Sequence, residues 1–481
     1  MSRVPNPLRL IILSIGLGLA RLGVIDRERA VQTTMLAWPR IVTGIARMSK
    51  SAVDVAMVGV AVGTSAVAGV GFAGPFWGLA FAIGGGVAGG TIALVSQRYG
   101  AEAADELGLA VRSSVVLVIA VSAPVAAVFW AFPYELISLL SNNESAIEYG
   151  ARYLQVVAFG IPFAGLNLVG SRVLVGADDS YTAMQVRAGG AVANIGLNAV
   201  FIFGLEWGVA GAALGTVLAN VAVTATFAAG ICAGRIPGIG AFPVRVDPFG
   251  AYLDGETLRD LVTIGLPVGG RNLVWTVAEF PMLGILDIFG ENTVAAFVIA
   301  RRIWGVMNAP GWGFGLASSS LVGQALGKND EVTAKAYGRD IIRFAVATYV
   351  VSAILIALFA EQIVVLFAED PTSAEIPIAI DLVYAACIAV TFQGVASAAA
   401  GPLDASGDTR VPFASQFLGM FCGSIPLAYL GATTGLGYWG LYLAFLAETT
   451  VPAAINYWRF RTDKWKAISQ SYRPETTVAD D

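Results

Sequence analysis

Histidine is absent from all 481 residues. This removes imidazole base chemistry and His-ligated zinc or haem from consideration. Cysteine occurs three times, at Cys232, Cys387 and Cys422, each in an apolar stretch. An odd set of separated thiols makes no disulfide framework. No phosphate-binding Gly-Lys-Ser/Thr loop is present: Gly327-Lys328 is followed by Asn-Asp. Transport driven by ATP hydrolysis on this chain is therefore not expected, nor is a cofactor or a nucleic-acid partner. Charge is scarce too, at 13% of residues, about half of what a soluble domain carries. The net charge of −5 and the preference for Arg over Lys fit a GC-rich genome and a salt-adapted acidic surface equally.

What remains is apolar and repetitive. Hydrophobic residues make up 56% of the chain, and mean hydropathy is +0.72. A shift of 227 positions lays the first half on the second. Trp77-Gly78 then falls on Trp304-Gly305, Gly84 and Gly86 on Gly311 and Gly313, and Gln97 and Gly100 on Gln324 and Gly327. With a slight drift, Asp179 meets Asp408 and Gly208–Gly211 meets Gly437–Gly440. Two halves in the same order indicate a parallel duplication, hence two similar membrane lobes around a central cavity.

The apolar runs suit helices, because hydrocarbon leaves no water for unpaired backbone groups and a span takes about 20 residues. The expected fold is all-α, with twelve transmembrane helices in two six-helix lobes. The spans fall near 34–60, 65–95, 108–132, 150–175, 183–204 and 208–232, then 259–288, 294–324, 339–361, 377–402, 412–433 and 437–458. Residues 1–33 form a cytoplasmic segment whose stretch 7–24 reads as a membrane-surface helix. Residues 34–232 make the first lobe, 233–258 a cytoplasmic linker, 259–460 the second lobe and 461–481 a cytoplasmic tail. Alternate loops and both termini are basic: Arg3, Arg9, Arg27, Arg98, Arg187, Arg235, Arg245, Lys328, Lys335, Arg410, Arg459, Arg461, Lys464 and Lys466. The intervening loops carry Glu135, Glu144, Glu206, Glu291, Glu369, Asp370 and Glu375. This alternation places both termini in the cytoplasm of a multi-pass cell-membrane protein.

An ionisable group inside the bilayer is costly, by about 3 kcal/mol on insertion scales. Asp54 is such a group. Lys50 stands four residues before it on the same helix face, so the pair is structural, or Asp54 trades a proton or binds Na⁺. Asn194 and Asn198 share a face of the fifth span and offer amide oxygens to a cation or N–H groups to a carboxylate. Thr216 and Asn220, and Asn167 and Ser171, repeat that spacing on the sixth and fourth spans. In the second half Arg271, Trp275 and Glu279 recur every four residues. A structural pairing of Glu279 with Arg271, Arg301 or Arg302 is expected. Glu448 lies deep in the last span without an obvious local partner.

These motifs carry a resemblance. The chain resembles the multidrug and toxic compound extrusion (MATE) family from Pro39 to Trp465. The resemblance rests on Asp54-Val-Ala-Met-Val-Gly59, Leu94-Val-Ser-Gln-Arg-Tyr-Gly-Ala101, Ile264-Gly-Leu-Pro267 and Leu321-Val-Gly-Gln-Ala-Leu-Gly327. Ala405-Ser-Gly-Asp-Thr-Arg-Val-Pro412 and the closing Arg459-Phe with Lys464-Trp465 complete it. It implies a V of two lobes, alternating access, and export of organic cations or lipophilic toxins in exchange for H⁺ or Na⁺. The implied coupling residues are Asp54 with Asn194 and Asn198, a set that also implies Na⁺ as an alternative ligand. Ser171 and Thr216 follow less directly. Two departures stand out: Asn198 replaces a second Asp of some relatives, and Lys50 sits one turn from Asp54. Another branch of the family uses acids on the seventh and tenth spans. Here Glu279 lies later than that branch's Glu and no acid stands near Gln393, so Arg271, Glu279 and Gln393 form a secondary polar candidate. The implied partners are a small amphiphilic or cationic substrate and membrane lipids, and a monomer is expected. A lipid-linked precursor flippase of the same superfamily, a major-facilitator carrier and a polytopic membrane enzyme are the alternatives.

The loop charges generate a topology prediction. Single cysteines placed near Arg98, Lys328 and Arg410 should react with an impermeant thiol reagent only from the cytoplasmic side, and those near Glu144, Glu291 and Asp370 only from outside. Reaction of both sets from one side would refute twelve spans.

Overall fold

The computed structural model describes residues 6–367 and 373–474. Arg3, Glu369, Asp370 and the end of the tail lie outside these residues. Helix α1 (Pro7–Arg21) starts on Asn6, whose side chain accepts from the Leu8 and Arg9 amides, with Pro7 at its first turn. At 15 residues it is about 22 Å long, too short for a bilayer core of about 30 Å.

Two sets of helical rods follow. The first comprises α2 (Arg27–Ala61), α3 (Thr64–Gly100), α4 (Ala104–Ala131), the short α5 (Pro133–Ser138), α6 (Glu144–Val157) continued by α7 (Ile161–Gly176), α8 (Ser180–Ala199) and α9 (Gly208–Ala233). The second comprises α10 (Gly255–Phe289), α11 (Glu291–Met307) with α12 (Ala309–Gly327), α13 (Glu331–Leu358), the short α14 (Ala360–Phe367), α15 (Glu375–Ser406), α16 (Arg410–Phe417) with α17 (Ile425–Thr433), and α18 (Tyr438–Arg461); α19 (Lys464–Ser469) closes the chain. Among the described residues, nine rods are long and apolar enough to cross a membrane. The other three have identifiable reasons to fall short. Helix α2 carries Arg40, Arg47, Lys50 and Asp54; α11 and α12 are broken at Asn308 before Pro310; α18 carries Glu448, Arg459 and Arg461. Their repeat partners α10, α3 and α9 all qualify, so the twelve-helix architecture of the sequence is recovered. Several flanking cations assigned to loops sit in helices instead. Arg98 is buried in the last turn of α3, where it donates to the Glu106 carbonyl at 3.0 Å. Arg187 lies in the second turn of α8, and Lys335 in the first turns of α13.

The chain divides into two compact units, Val42–Gly270 and Met1–Ile41 with Arg271–Asp481. The divisions fall inside α2 and α10, not at the starts of the two sequence repeats. Each repeat therefore packs against the opening half of the other repeat's first helix. Glycine makes this possible. A Cβ on Gly86 of α3 would lie 2.8 Å from the Gly265 carbonyl oxygen of α10. A Cβ on Gly313, its repeat partner, would lie 2.6 Å from the Ala37 carbonyl oxygen of α2. Small residues let helices meet backbone to backbone where lipid gives no hydrophobic drive to association.

In Val42–Gly270 the core includes Phe129, Ile137, Leu154, Val157 and Ile161. The linker is ordered. Gly234 closes α9 in the left-handed region (φ 73°), and a two-stranded ribbon of Arg235–Ile236 and Gly240–Ala241 follows. Arg112 of α4 holds the rest by donating to the carbonyls of Ala251 at 2.7 Å and Asp247 at 2.9 Å. The other unit centres on Leu286, Ala300, Ile303, Trp304, Leu382 and Phe445. Here α1 docks on α13, since Gly16 receives the Phe344 ring, and Arg29 of α2 pairs with Asp340 at 2.7 Å. Asp408 meets Arg459 at 2.5 Å, which ties the start of α16 to the end of α18. Burial pushes the Asp408 carboxyl up, against the pull of Arg459. Trp465 is fully buried and donates to the Phe460 carbonyl.

Overpacking a close helix contact costs about 1–3 kcal/mol. Gly86→Val and Gly313→Val should each lower the melting temperature and the yield of monodisperse protein in detergent. Gly74→Ala, with nothing within 4 Å of the added carbon, should not. Equal melting temperatures for all three would refute the packing argument.

Candidate functional site

The polar residues of Val42–Gly270 converge. Lys50 and Asp54 lie one turn apart on α2, with Nζ 2.6 Å from Asp54 Oδ2. The other carboxylate oxygen, Oδ1, accepts from Asn198 Nδ2 of α8 at 2.8 Å. Asn198 Nδ2 also reaches Asn194 Oδ1 at 3.3 Å, and Asn194 Nδ2 donates to Thr216 Oγ1 of α9 at 3.2 Å. The i, i+4 spacing on each helix is what stacks these groups into one column. Asn194 and Asn198 are fully buried, and Asp54 is 15% exposed. A buried charge of this kind is tolerable only when paired and hydrogen-bonded.

The column continues. Asn220 Nδ2 donates to the Thr216 carbonyl at 3.0 Å and Asn167 Nδ2 of α7 to Asn220 Oδ1 at 2.8 Å, while Thr224 Oγ1 donates to Asn167 Oδ1 at 2.8 Å. Four helices are thus joined through one hydrogen-bonded chain that passes through the backbone carbonyl of Thr216. Tyr153 of α6 reaches Thr216 and lies within electrostatic reach of Asp54. Asn198 Oδ1 is buried without a hydrogen-bond partner. It fills the space over Gly215, where a Cβ would stand 2.0 Å from it. Beyond the end of α2, about 10 Å from Asp54 along the helix, a cleft of about 560 Å³ is lined by Ala61, Glu148, Arg152, Glu206 and Trp207.

Lys50, Asp54, Asn194, Asn198 and Thr216 are therefore brought together. Ser171 is buried on α7, yet among the described residues no hydrogen bond ties it to the column; Asn167, one turn earlier, takes that place. Thr224 and Gly215 were not anticipated. The signal for Thr224 was present, because Thr216, Asn220 and Thr224 recur every four residues. Gly215 left no signal among so many glycines.

The second polar candidate does not form a cluster. Arg271 pairs with Asp404 at 2.8 Å through both guanidinium arms. Gln393 donates to Ser397 and leaves Oε1 buried without a partner. Glu279 is exposed and makes no ion pair among the described residues. The expected pairing of Glu279 with Arg271, Arg301 or Arg302 is thus corrected. Arg301 instead forms a bidentate pair with the fully buried Glu448, both contacts at 2.6 Å, and lies over the Phe297 and Phe445 rings. Glu448 has a partner after all, far away in sequence.

Repeated helical sets long enough for the bilayer, with a buried column of polar side chains, define a polytopic membrane protein. The family model MatE matches residues 39–200 and 267–430, one match per repeat, and the chain belongs to that family. It is 27% identical to the probable multidrug resistance protein NorM of Rhodopseudomonas palustris, covering 90% of this chain and 92% of the relative. It is 24% identical to the probable multidrug resistance protein YoeA of Bacillus subtilis, covering 87% and 90%. Among solved structures, a MOP superfamily transporter from Pyrococcus furiosus, described as having a binding pocket of reverse polarity, superposes with a TM-score of 0.82 at 22% identity, over 92% of this chain and 97% of that one.

Gly215→Ala tests the column. The methyl displaces the Asn198 amide from Asp54, although alanine is the better helix former. Losing one hydrogen bond to a charged group is worth roughly 1.5–3 kcal/mol. Transport should fall by about tenfold or more at unchanged expression, and wild-type transport would place Asn198 outside the working site. Glu279→Gln should cost less transport than Asp54→Asn; the opposite order would move the site to the second repeat.

Proposed function

We propose that this chain is a secondary active exporter of amphiphilic organic compounds, organic cations and lipophilic toxins among them. It works by alternating access in exchange for H⁺, with Asp54 as the coupling group. It resides in the cell membrane with both termini in the cytoplasm. The observation that carries this reading is the placement of Asp54. It is the carboxylate at the head of a hydrogen-bonded column spanning α2, α8, α9 and α7. The multidrug resistance names of the relatives support the export of drug-like compounds.

The chemistry favours a proton over a metal ion. Lys50 already compensates the charge of Asp54, and the Asn198 amide presents N–H to the carboxylate, not oxygen. A proton arriving at Asp54 removes the negative charge and leaves the Lys50 ammonium without its counter-ion. An uncompensated buried charge costs several kcal/mol, so protonation favours a rearrangement of α2 against its neighbours. The acidic groups Glu148 and Glu206 in the cleft beyond α2 would attract cations from that side. Na⁺ is the second reading. It is favoured by the unpartnered Oδ1 of Asn198, which with Asp54 and Asn194 would supply oxygen ligands.

The test is ethidium transport in proteoliposomes under separately imposed gradients. A proton gradient alone should drive it; dependence on a sodium gradient alone would establish the second reading instead. Asp54→Asn should abolish gradient-driven transport. Lys50→Met combined with Asp54→Asn should restore thermal stability but not uphill transport. Uphill transport by the double variant would rule out Asp54 as the coupling group.

A further inference from the structure

The duplication reaches beyond the spans. The 227-residue shift also lays Leu22-Gly23-Val24, ahead of α2, on Phe249-Gly250-Ala251, ahead of α10. The two triplets are held alike. Arg112 of α4 donates to the Ala251 carbonyl at 2.7 Å and to the Asp247 carbonyl at 2.9 Å. Arg343 of α13, the repeat partner of α4, donates to the Val24 carbonyl at 2.7 Å. In each case the third span of one repeat clasps the segment that leads into the first helix of the other. Further contacts tighten the turn before α10. Ser113 Oγ donates to the Tyr252 carbonyl at 3.2 Å, and the Tyr252 hydroxyl donates to the Pro248 carbonyl at 2.8 Å. A Cβ on Gly250 would lie 2.6 Å from the Arg112 guanidinium carbon, so the turn closes over that group.

The clasps have a defined depth. Arg112 is the last charged residue of α4 before the uncharged run 113–131, and Arg343 is the last of α13 before the uncharged run 344–358. A helix passes from headgroups into hydrocarbon where its charges stop, so both clasps sit at the bilayer surface. Ser113 is the first residue of its run, and its bond to Tyr252 keeps the turn at that depth. There the two segments hold large apolar side chains away from the protein. Phe249 is 94% exposed, Leu22 78% and Leu253 71%. A rigid turn that presented them to water would forfeit their burial. At the interface their apolar bodies enter the boundary between headgroups and acyl chains. Leu10 and Ile11, also exposed, carry the same apolar surface back along α1.

We infer that Leu22 and Phe249 are equivalent membrane anchors, each inserted into the headgroup–acyl boundary by a segment that an arginine clasps. The linker between the repeats is thereby a surface-bound element, with Leu253 inserted beside Phe249, and not a tether in water. The consequence is mechanical. Just after the anchors, Asp26 and Asp254 cap the helices that follow. Asp26 Oδ1 accepts from the Arg29 amide at 3.0 Å, and Asp254 Oδ2 from the Thr257 amide at 2.8 Å. Each anchor therefore fixes the depth at which α2 or α10, the helices divided between the compact units, enters the bilayer. This role is independent of the coupling ion and of the transported compound.

The experiment is fluorescence quenching of bimane attached to Phe249→Cys, Leu22→Cys or Asp105→Cys in the full chain, reconstituted in phosphatidylcholine nanodiscs. Cys232 and Cys422 are replaced by alanine, and the buried Cys387 is kept. Asp105 is exposed on α4 about two turns, roughly 10 Å, to the aqueous side of Arg112. The two quenchers are iodide in the buffer and a phosphatidylcholine with a nitroxide near the headgroup end of its acyl chain. Nitroxide quenching should be about twofold or more stronger at Phe249 and Leu22 than at Asp105, as insertion by roughly 5–10 Å implies. Iodide should give the reverse order. Arg112→Gln should reduce the nitroxide quenching at Phe249 by about half or more, because an unclasped turn no longer holds its depth. A Phe249 probe that behaves like the Asp105 probe would overturn the inference, since the turn would then lie in water. Protection of Phe249 from both quenchers would overturn it too, because a second copy or another protein would be the cover. Insertion of Phe249 without Leu22 would overturn the equivalence of the two anchors, and unchanged quenching in Arg112→Gln would overturn the clasp.

Discussion

A polar group carried into hydrocarbon must find its partner inside the protein, because lipid offers none. The rest of this structure depends on that constraint. It makes every span a helix, whose backbone bonds close within the segment. It pairs Arg301 with Glu448 and Arg271 with Asp404 across long stretches of sequence. It also threads Asp54, Asn198, Asn194, Thr216, Asn220 and Asn167 into one column. The constraint is left unmet at several buried atoms, Asn198 Oδ1 and Gln393 Oε1 among them.

The two repeats use that constraint differently. In the first, the polar groups form a hydrogen-bonded relay with one carboxylate at its head. In the second, they form discrete bidentate ion pairs, which fix helices and offer little to a moving ion. The repeat alignment puts Pro281, not an acid, opposite Asp54. Duplication supplied the scaffold, and divergence of a few side chains separated coupling from bracing. The same divergence appears at Asp179 and Asp408. The first caps α8 by accepting from the Thr182 amide, while the second pairs with Arg459.

Packing follows a related logic. The glycines that make the repeat visible, Gly86 and Gly313, are the points where each unit takes in half a helix from the other repeat. Side chains there would hold the backbones apart, and without close contact a bilayer gives helices little reason to associate. The sequence repeats thus do not coincide with the compact units. Covalent order assigns α2 and α10 each to one repeat, whereas packing divides both.

Much of this was legible in the sequence. The apolar runs dictated helices, the 227-residue shift dictated two similar sets, and i, i+4 spacing placed Lys50 with Asp54 and Asn194 with Asn198. Those are local properties, fixed by helical periodicity. Tertiary structure decided everything that joins one helix to another. It turned Glu448 into the partner of Arg301 and left Glu279 exposed. It chose Asn167 over Ser171 as the place where α7 joins the column. The physical reason is that periodicity sets which face of a helix a residue occupies, while rotation about the helix axis, settled only by packing, sets what that face meets.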